Sequence, residues 1–225
     1  MVSAKQLNST RKTKTVPILF SPDSVFLQRF LRAAGLYKGD IDGIIGPKSN
    51  AALLEFNADS QQIAAELGTF DKRSEERIRT MLLATQRAAR KFLSSLGQTG
   101  LSDGMTVQIL SGTRTFAEQT TLFEKHLRGG PLAARPGRSN HNFGIAWDVG
   151  IFNAERQYID DLIDKKKMTS KAVDAEYRKL GAHGKGRGLF WGGDWSNPDF
   201  PHFQMRNNDD LALIRDAFIS GGVVV

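Results

Sequence analysis

Ser139-Asn140-His141-Asn142-Phe143-Gly144-Ile145-Ala146-Trp147-Asp148 is the stretch on which the fold turns. Its first half is a polar, histidine-bearing turn closed by glycine, and its second half opens a strand that runs from Ile145 to Ile151. Strand side chains alternate between faces, so Trp147 points to a core while Asp148 points to the opposite side. Working outward, Met105, Val107 and Ile109 alternate as another strand, and Leu189 to Trp191 and Phe200 to Met205 are two more short ones. Ser74 to Leu96 carries one apolar stripe (Ile78, Met81, Leu82, Ala88, Ala89, Phe92, Leu93 and Leu96) and predicts a long amphipathic helix. Thr115-Phe116-Ala117-Glu118 has capping-box form ahead of a helix reaching about His126. Residues 155 to 180 read as mostly helical, and Asn208-Asp209-Asp210 starts a last helix. Short non-consecutive strands among helices predict an α+β fold, a small antiparallel sheet with surrounding helices.

Ahead of this lies a separate pattern. Ser21-Pro22-Asp23 reads as a helix start, with Ser21 as N-cap, and Phe26, Leu27, Phe30, Leu31 and Ala34 give that helix an apolar face ending at Gly35. A turn-rich loop through Gly39-Asp40-Ile41-Asp42-Gly43 follows, then a short helix from Lys48 to Phe56. The expected organisation is a basic, flexible N-terminus (1–16), a small all-α module (17–60), a linker (61–72) and an α+β domain (73–225).

Across 225 residues, 31 Lys+Arg against 24 Asp+Glu give a net charge of +7. The excess is uneven: residues 1–16 carry four basic groups and no acid, whereas residues 17–70 hold four basic against six acidic groups. Such a chain suits an anionic partner, and charge by itself leaves nucleic acid, wall polymers or outer lipids, and plain solubility open. No apolar run is long enough to span a bilayer, and no signal peptide is readable, so a cytosolic site of synthesis without membrane insertion is expected.

The absence of cysteine excludes disulfides, thiolate metal sites and cysteine nucleophiles, which leaves any metal to His and carboxylate. A catalytic zinc site needs three such ligands and an open position, a set that His141, Asp148 and His202 supply. Asp199, three residues before His202 in Asp199-Phe200-Pro201-His202-Phe203, stands where a base for the attacking water is required. His126 is expected at a helix end, and His183 in a solvated glycine-rich loop, Gly181 to Gly188.

Ser-x-His-x-x-Gly-x-Ala-x-Asp, followed by Trp191-Gly192-Gly193-Asp194-Trp195 and Asp-x-x-His, resembles the M15 zinc peptidases, the D-Ala-D-Ala carboxypeptidases and L-alanyl-D-glutamate endopeptidases. Ser111-Gly112-Thr113-Arg114-Thr115, with Gln119 trailing, resembles a third segment of that family. The resemblance implies a Zn2+ cofactor on His141, Asp148 and His202, with Asp199 as general base and acid. It also implies a cation at Arg114 near the reacting carbonyl or a substrate carboxylate, for which the planar, permanently charged guanidinium is suited. Gln119 is expected to hold the substrate amide or the attacking water. Ser139 either bonds near the zinc or shapes the loop, and Trp191 and Trp195 either wall the substrate groove or pack beneath the zinc loop.

Leu27-Gln28, Leu31, Gly35-Leu36-Tyr37, Gly39, Ile41-Asp42-Gly43, Gly46-Pro47, Ala51 and Phe56 resemble the small peptidoglycan-binding domain found beside wall hydrolases, with Ile45 and Asn57 departing from its pattern. Together the resemblances imply a monomeric, phage endolysin-like peptidoglycan hydrolase cutting the L-Ala–D-Glu bond. It would be made in the host-cell cytoplasm and would act at the cell wall after release. The implied partners are peptidoglycan and anionic envelope lipids, with no nucleic acid. A D-Ala-D-Ala carboxypeptidase of the same fold and a non-catalytic zinc-containing wall-binding protein are the alternatives.

Overall fold

A computed structural model describes residues 19–222 and 224; the basic segment 1–16 lies outside the described residues. Strands β1 (Thr106–Ser111), β2 (Ala146–Phe152), β3 (Phe190–Trp191) and β4 (His202–Gln204) form a sheet in the order β1-β2-β4-β3. Each neighbouring pair is antiparallel, in agreement with the expected α+β class. The helices of the described residues are α1 (Ser24–Ala33), α2 (Pro47–Leu67), α3 (Lys72–Ile78), α4 (Leu83–Ser94), α5 (Phe116–Leu127), α6 (Asp161–Asp164), α7 (Ser170–Lys185) and α8 (Leu211–Ser220).

Alternation along β2 and β4 divides the sheet into a core face and a polar face. Trp147, Val149 and Ile151 of β2 and Phe203 of β4 are buried together with Phe92 of α4 and Tyr177 and Leu180 of α7. Trp147 stacks on Phe203, their ring centroids 6.1 Å apart. Burying one large apolar side chain contributes about 1.5–3 kcal/mol, so this cluster fixes the register. A slip of one residue would drive Asp148 into the core and Trp147 out of it. With the register fixed, Asp148 of β2 lies directly opposite His202 of β4.

A second core joins the N-terminal helices to the region around the sheet. Phe26, Phe30 and Leu31 of α1 and Phe56 of α2 are buried with Leu82, Phe143, Ile145 and Phe218. Phe26 meets Phe116 of α5 and Phe218 of α8 at 5.7 and 5.4 Å between ring centroids. Gly144 is at the contact: its φ is +71°, and a Cβ there would come within 2.9 Å of the Phe30 ring. Residues 17–60 were expected as a module of their own; the described part of that segment shares a core with residues 73–225. Inside it, the buried Gln28 ties α1 to the following loop, donating to Asp42 Oδ1 (2.8 Å) and accepting from the Gly43 amide (2.8 Å).

Several local expectations need correction. The N-cap of α1 is Asp23, whose carboxylate accepts from the Phe26 amide, rather than Ser21. The helix expected to stop at Phe56 continues to Leu67, so much of the supposed linker at 61–72 is helical. Ser74 to Leu96 is two helices rather than one. At the break the Leu82 amide leaves the helical ladder and donates to the Gly144 carbonyl, while Arg90 of α4 pairs through both terminal nitrogens with Glu75 of α3. Of residues 155–169 only α6 is α-helical. Gly181 to Lys185 is the last part of α7, not a solvated loop, because the missing Cβ atoms admit aromatic rings. A Cβ on Gly184 would sit 2.5 Å from Phe203, and one on Gly181 would overlap Trp191. His183 is accordingly buried, 3.1 Å from the Ser95 hydroxyl. The capping box of Thr115 and Glu118 forms as expected and starts α5.

Candidate metal centre

Three short elements bring His141, Asp148 and His202 together on the polar face of the sheet. His141 sits in the 3-10 turn Asn140–Phe143, which Gly144 closes in a left-handed conformation before β2 begins. Asp148 and His202 are cross-strand neighbours. His141 Nε2, His202 Nδ1 and Asp148 Oδ1 form a triangle with sides of 3.1, 3.1 and 3.2 Å.

The outer hydrogen bonds decide which ring atoms face inward. His141 Nδ1 is 2.7 Å from the Gly112 carbonyl, which only accepts, so Nδ1 carries the proton and Nε2 presents a lone pair. Gln204 donates its amide nitrogen to the Arg206 carbonyl and to Asn208, which turns its Oε1 toward His202 Nε2 at 2.9 Å. His202 therefore donates through Nε2 and turns the lone pair of Nδ1 inward; the assignment follows from the network. Three acceptors facing one another repel unless a cation lies among them. A tetrahedral zinc at the usual Zn–N and Zn–O lengths of about 2.0–2.1 Å separates its ligand atoms by about 3.3 Å, so the donor set fits that ion.

Burial and the mutual charges of the cluster shift its groups. Burial opposes ionisation of Asp148, but the two imidazoles outweigh it and hold the carboxyl well below the usual carboxylate range. Burial lowers the pKa of His141. His202 is desolvated too, yet the Asp148 carboxylate beside it prevails and raises it. Asp199 is pushed up by burial and by the Asp148 charge, with His202 and Arg114 pulling less strongly the other way.

Arg114 reaches the cluster from the segment after β1, its Nη2 donating to Asp148 Oδ2 at 3.3 Å. Its backbone is locked to the histidine turn: the Arg114 amide donates to the His141 carbonyl and Asn142 Nδ2 donates to the Arg114 carbonyl. Gln119 accepts from Arg114 Nη1 and donates to the Ala134 carbonyl. With both amide ends engaged inside the protein, its evident work is holding Arg114 and the 129–138 loop in place.

Residues 133–205 match the family model described as D-alanyl-D-alanine carboxypeptidase, of the M15 peptidases. The similarity to the M15 peptidases thus covers the histidine turn, β2, β3 and β4. The chain is also 32% identical over 109 residues to the peptidoglycan L-alanyl-D-glutamate endopeptidase CwlK of Bacillus subtilis (strain 168), covering 47% of this chain and 64% of that protein. The match thus spans less than two thirds of that relative's length. Among solved structures, the L-Ala D-Glu endopeptidase ChiX of Serratia marcescens aligns with a TM-score of 0.42 at 23% identity, over 62% of this chain and 91% of that one. The vancomycin-resistance D,D-pentapeptidase VanY, in complex with Zn(II), aligns at 0.39 and 14% identity, over 64% and 81% of the two chains.

The triangle lies entirely within the matched residues and opens to a groove of about 650 Å³. Asp199, Arg114, Gln119, Ser139 and Trp195 line it. Trp195 stands over the centre, its ring 5.0 Å from that of His202. Trp191 does not reach the groove: it is buried against α7 and donates to the Phe200 carbonyl, so its reading as a substrate contact is corrected to packing beneath the site. Sequence reasoning missed Gln204, Asn140 and Asn208, the amides around His202, although Gln204 lies two residues along β4 from His202 and so shares its face. Outer-sphere partners of this kind typically change metal affinity 10- to 100-fold, so Gln204→Ala is expected to weaken metal binding by about that factor. Competition with a chromophoric chelator measures it, and an unchanged affinity would remove Gln204 from the metal centre.

Proposed function

We propose that this protein is a zinc-dependent peptidoglycan hydrolase that cuts a peptide bond of the stem, specifically L-Ala–D-Glu. The observation that carries the reading is the acceptor triangle of His141, Asp148 and His202 at the base of a groove that also holds Asp199 and Arg114. The family match and the similarity to an endopeptidase named for that bond support it.

Zinc held by the three ligands would polarise a carbonyl and lower the pKa of water beside it. Asp199, whose pKa burial and the Asp148 charge raise, is suited to take a proton from the attacking water and to return it to the leaving amine. Arg114, fixed by Asp148 and Gln119, offers its guanidinium to the oxyanion of the tetrahedral state. Ser139 and Trp195 would bind the peptide from the groove walls. In the same reading the protein acts as a phage endolysin, made in a host cytoplasm and working at the wall. The segment 17–60 would bind peptidoglycan, and the cationic surface would favour anionic envelope lipids.

Chelation tests the metal requirement. Dialysis against a strong chelator is expected to abolish release of soluble fragments from purified peptidoglycan, and stoichiometric zinc to restore it. Full activity in protein shown by elemental analysis to be metal-free would overturn the proposal.

A further inference from the structure

We infer that Arg138 is a specificity-determining residue, selecting substrates with a free carboxylate in the groove. The inference rests on the peptidase reading above and deepens it by naming the substrate's charge.

Arg138 lies on the groove wall three residues before His141 and is exposed. Its neighbouring arginines are each occupied: Arg114 with Asp148 and Gln119, Arg135 over the Phe123 ring, Arg206 with Asp210 and Arg215 with Asp216. Among the described residues Arg138 has neither an ion pair nor a side-chain hydrogen bond. Its backbone is nevertheless pinned. The Arg138 amide donates to the Arg135 carbonyl at 2.9 Å, and Asn142 holds both flanks, accepting from the Gly137 amide and donating its own amide to the Ser139 carbonyl. A free guanidinium has no partner within the protein to give up when it binds a ligand, and the fixed backbone keeps its origin at the groove wall.

The groove's charge points to the class of that ligand. Asp199 is the one carboxylate among the described lining residues, and Asp148 beneath it is already bonded to Arg114. With a divalent cation in the centre, the groove holds an excess of positive charge that a neutral peptide would leave unmatched. A carboxylate accepts two parallel hydrogen bonds from guanidinium, which its amide does not reproduce.

The test uses the full-length, zinc-loaded protein and two stem peptides, L-Ala-γ-D-Glu-L-Lys with a free Glu α-carboxylate and the same peptide amidated at that position. The wild type is expected to prefer the acid by about 10- to 100-fold in kcat/KM, chiefly through KM, the range for losing one charged hydrogen-bond partner. Arg138→Gln should bring that ratio close to one, and Arg138→Lys should recover part of it. A ratio unchanged in Arg138→Gln, or equal loss on both peptides, would overturn the inference. If the wild type cuts neither peptide, the peptidase reading fails separately. Calorimetric binding of the acidic peptide then decides on Arg138, equal affinities of wild type and Arg138→Gln counting against it.

Discussion

Asp199→Ala is expected to retain zinc and lose hydrolysis, with kcat on purified peptidoglycan falling about 10²- to 10⁴-fold, the usual contribution of a positioned acid–base group. The carboxyl makes no hydrogen bond to His141, Asp148 or His202, so its removal leaves the ligand triangle intact. Asp148→Ala should behave differently. It removes one of the three ligands and the carboxylate that holds Arg114, so metal and activity should disappear together. Elemental analysis beside a lysis assay separates the two variants. Lytic activity equal to wild type in Asp199→Ala would take that residue out of the mechanism and leave the proton transfers to another group.

Phe30→Ala should have the largest effect on stability, although the residue lies far from the metal ligands in sequence. Its ring is fully buried, packs edge-on against Phe56 at 5.3 Å, and lies on Gly144, beside the turn that presents His141. Truncating a buried Phe costs about 3–5 kcal/mol, a large part of the stability of an ordinary domain. Because the ring bridges the N-terminal helices and the metal turn, zinc release and loss of helix should move together to lower urea in one transition. Two separate transitions, with zinc release unaffected by the substitution, would mean that the N-terminal helices fold as an independent unit.

The metal centre was legible in the sequence because its chemistry is local. His141, Asp148 and His202 each sit in a short motif, and period-two alternation places Trp147 and Asp148 on opposite faces without knowledge of the partner strands. Contacts across the fold were not legible. Gly181 and Gly184 look like loop formers until Trp191 and Phe203 are seen to occupy the space where their Cβ atoms would be. The break between α3 and α4 is set by the Gly144 carbonyl, more than sixty residues away, which captures the Leu82 amide. Trp191 stayed between two readings for the same reason: its motif adjoins the site, but its ring turns toward α7. The full length of α2 was not legible because Asn57 to Leu67 is rich in Ala, Gln and Glu, good helix formers that carry α2 onward with few apolar positions to announce it.

Product analysis tests the central claim most directly. Purified peptidoglycan of known stem sequence is digested with the zinc-loaded protein, and the newly exposed amino groups are labelled and identified. The account predicts new N-termini on D-Glu, absent when Asp199→Ala is used. Release of D-Ala alone, with D-Glu amino groups still blocked, would contradict it and make the protein a carboxypeptidase.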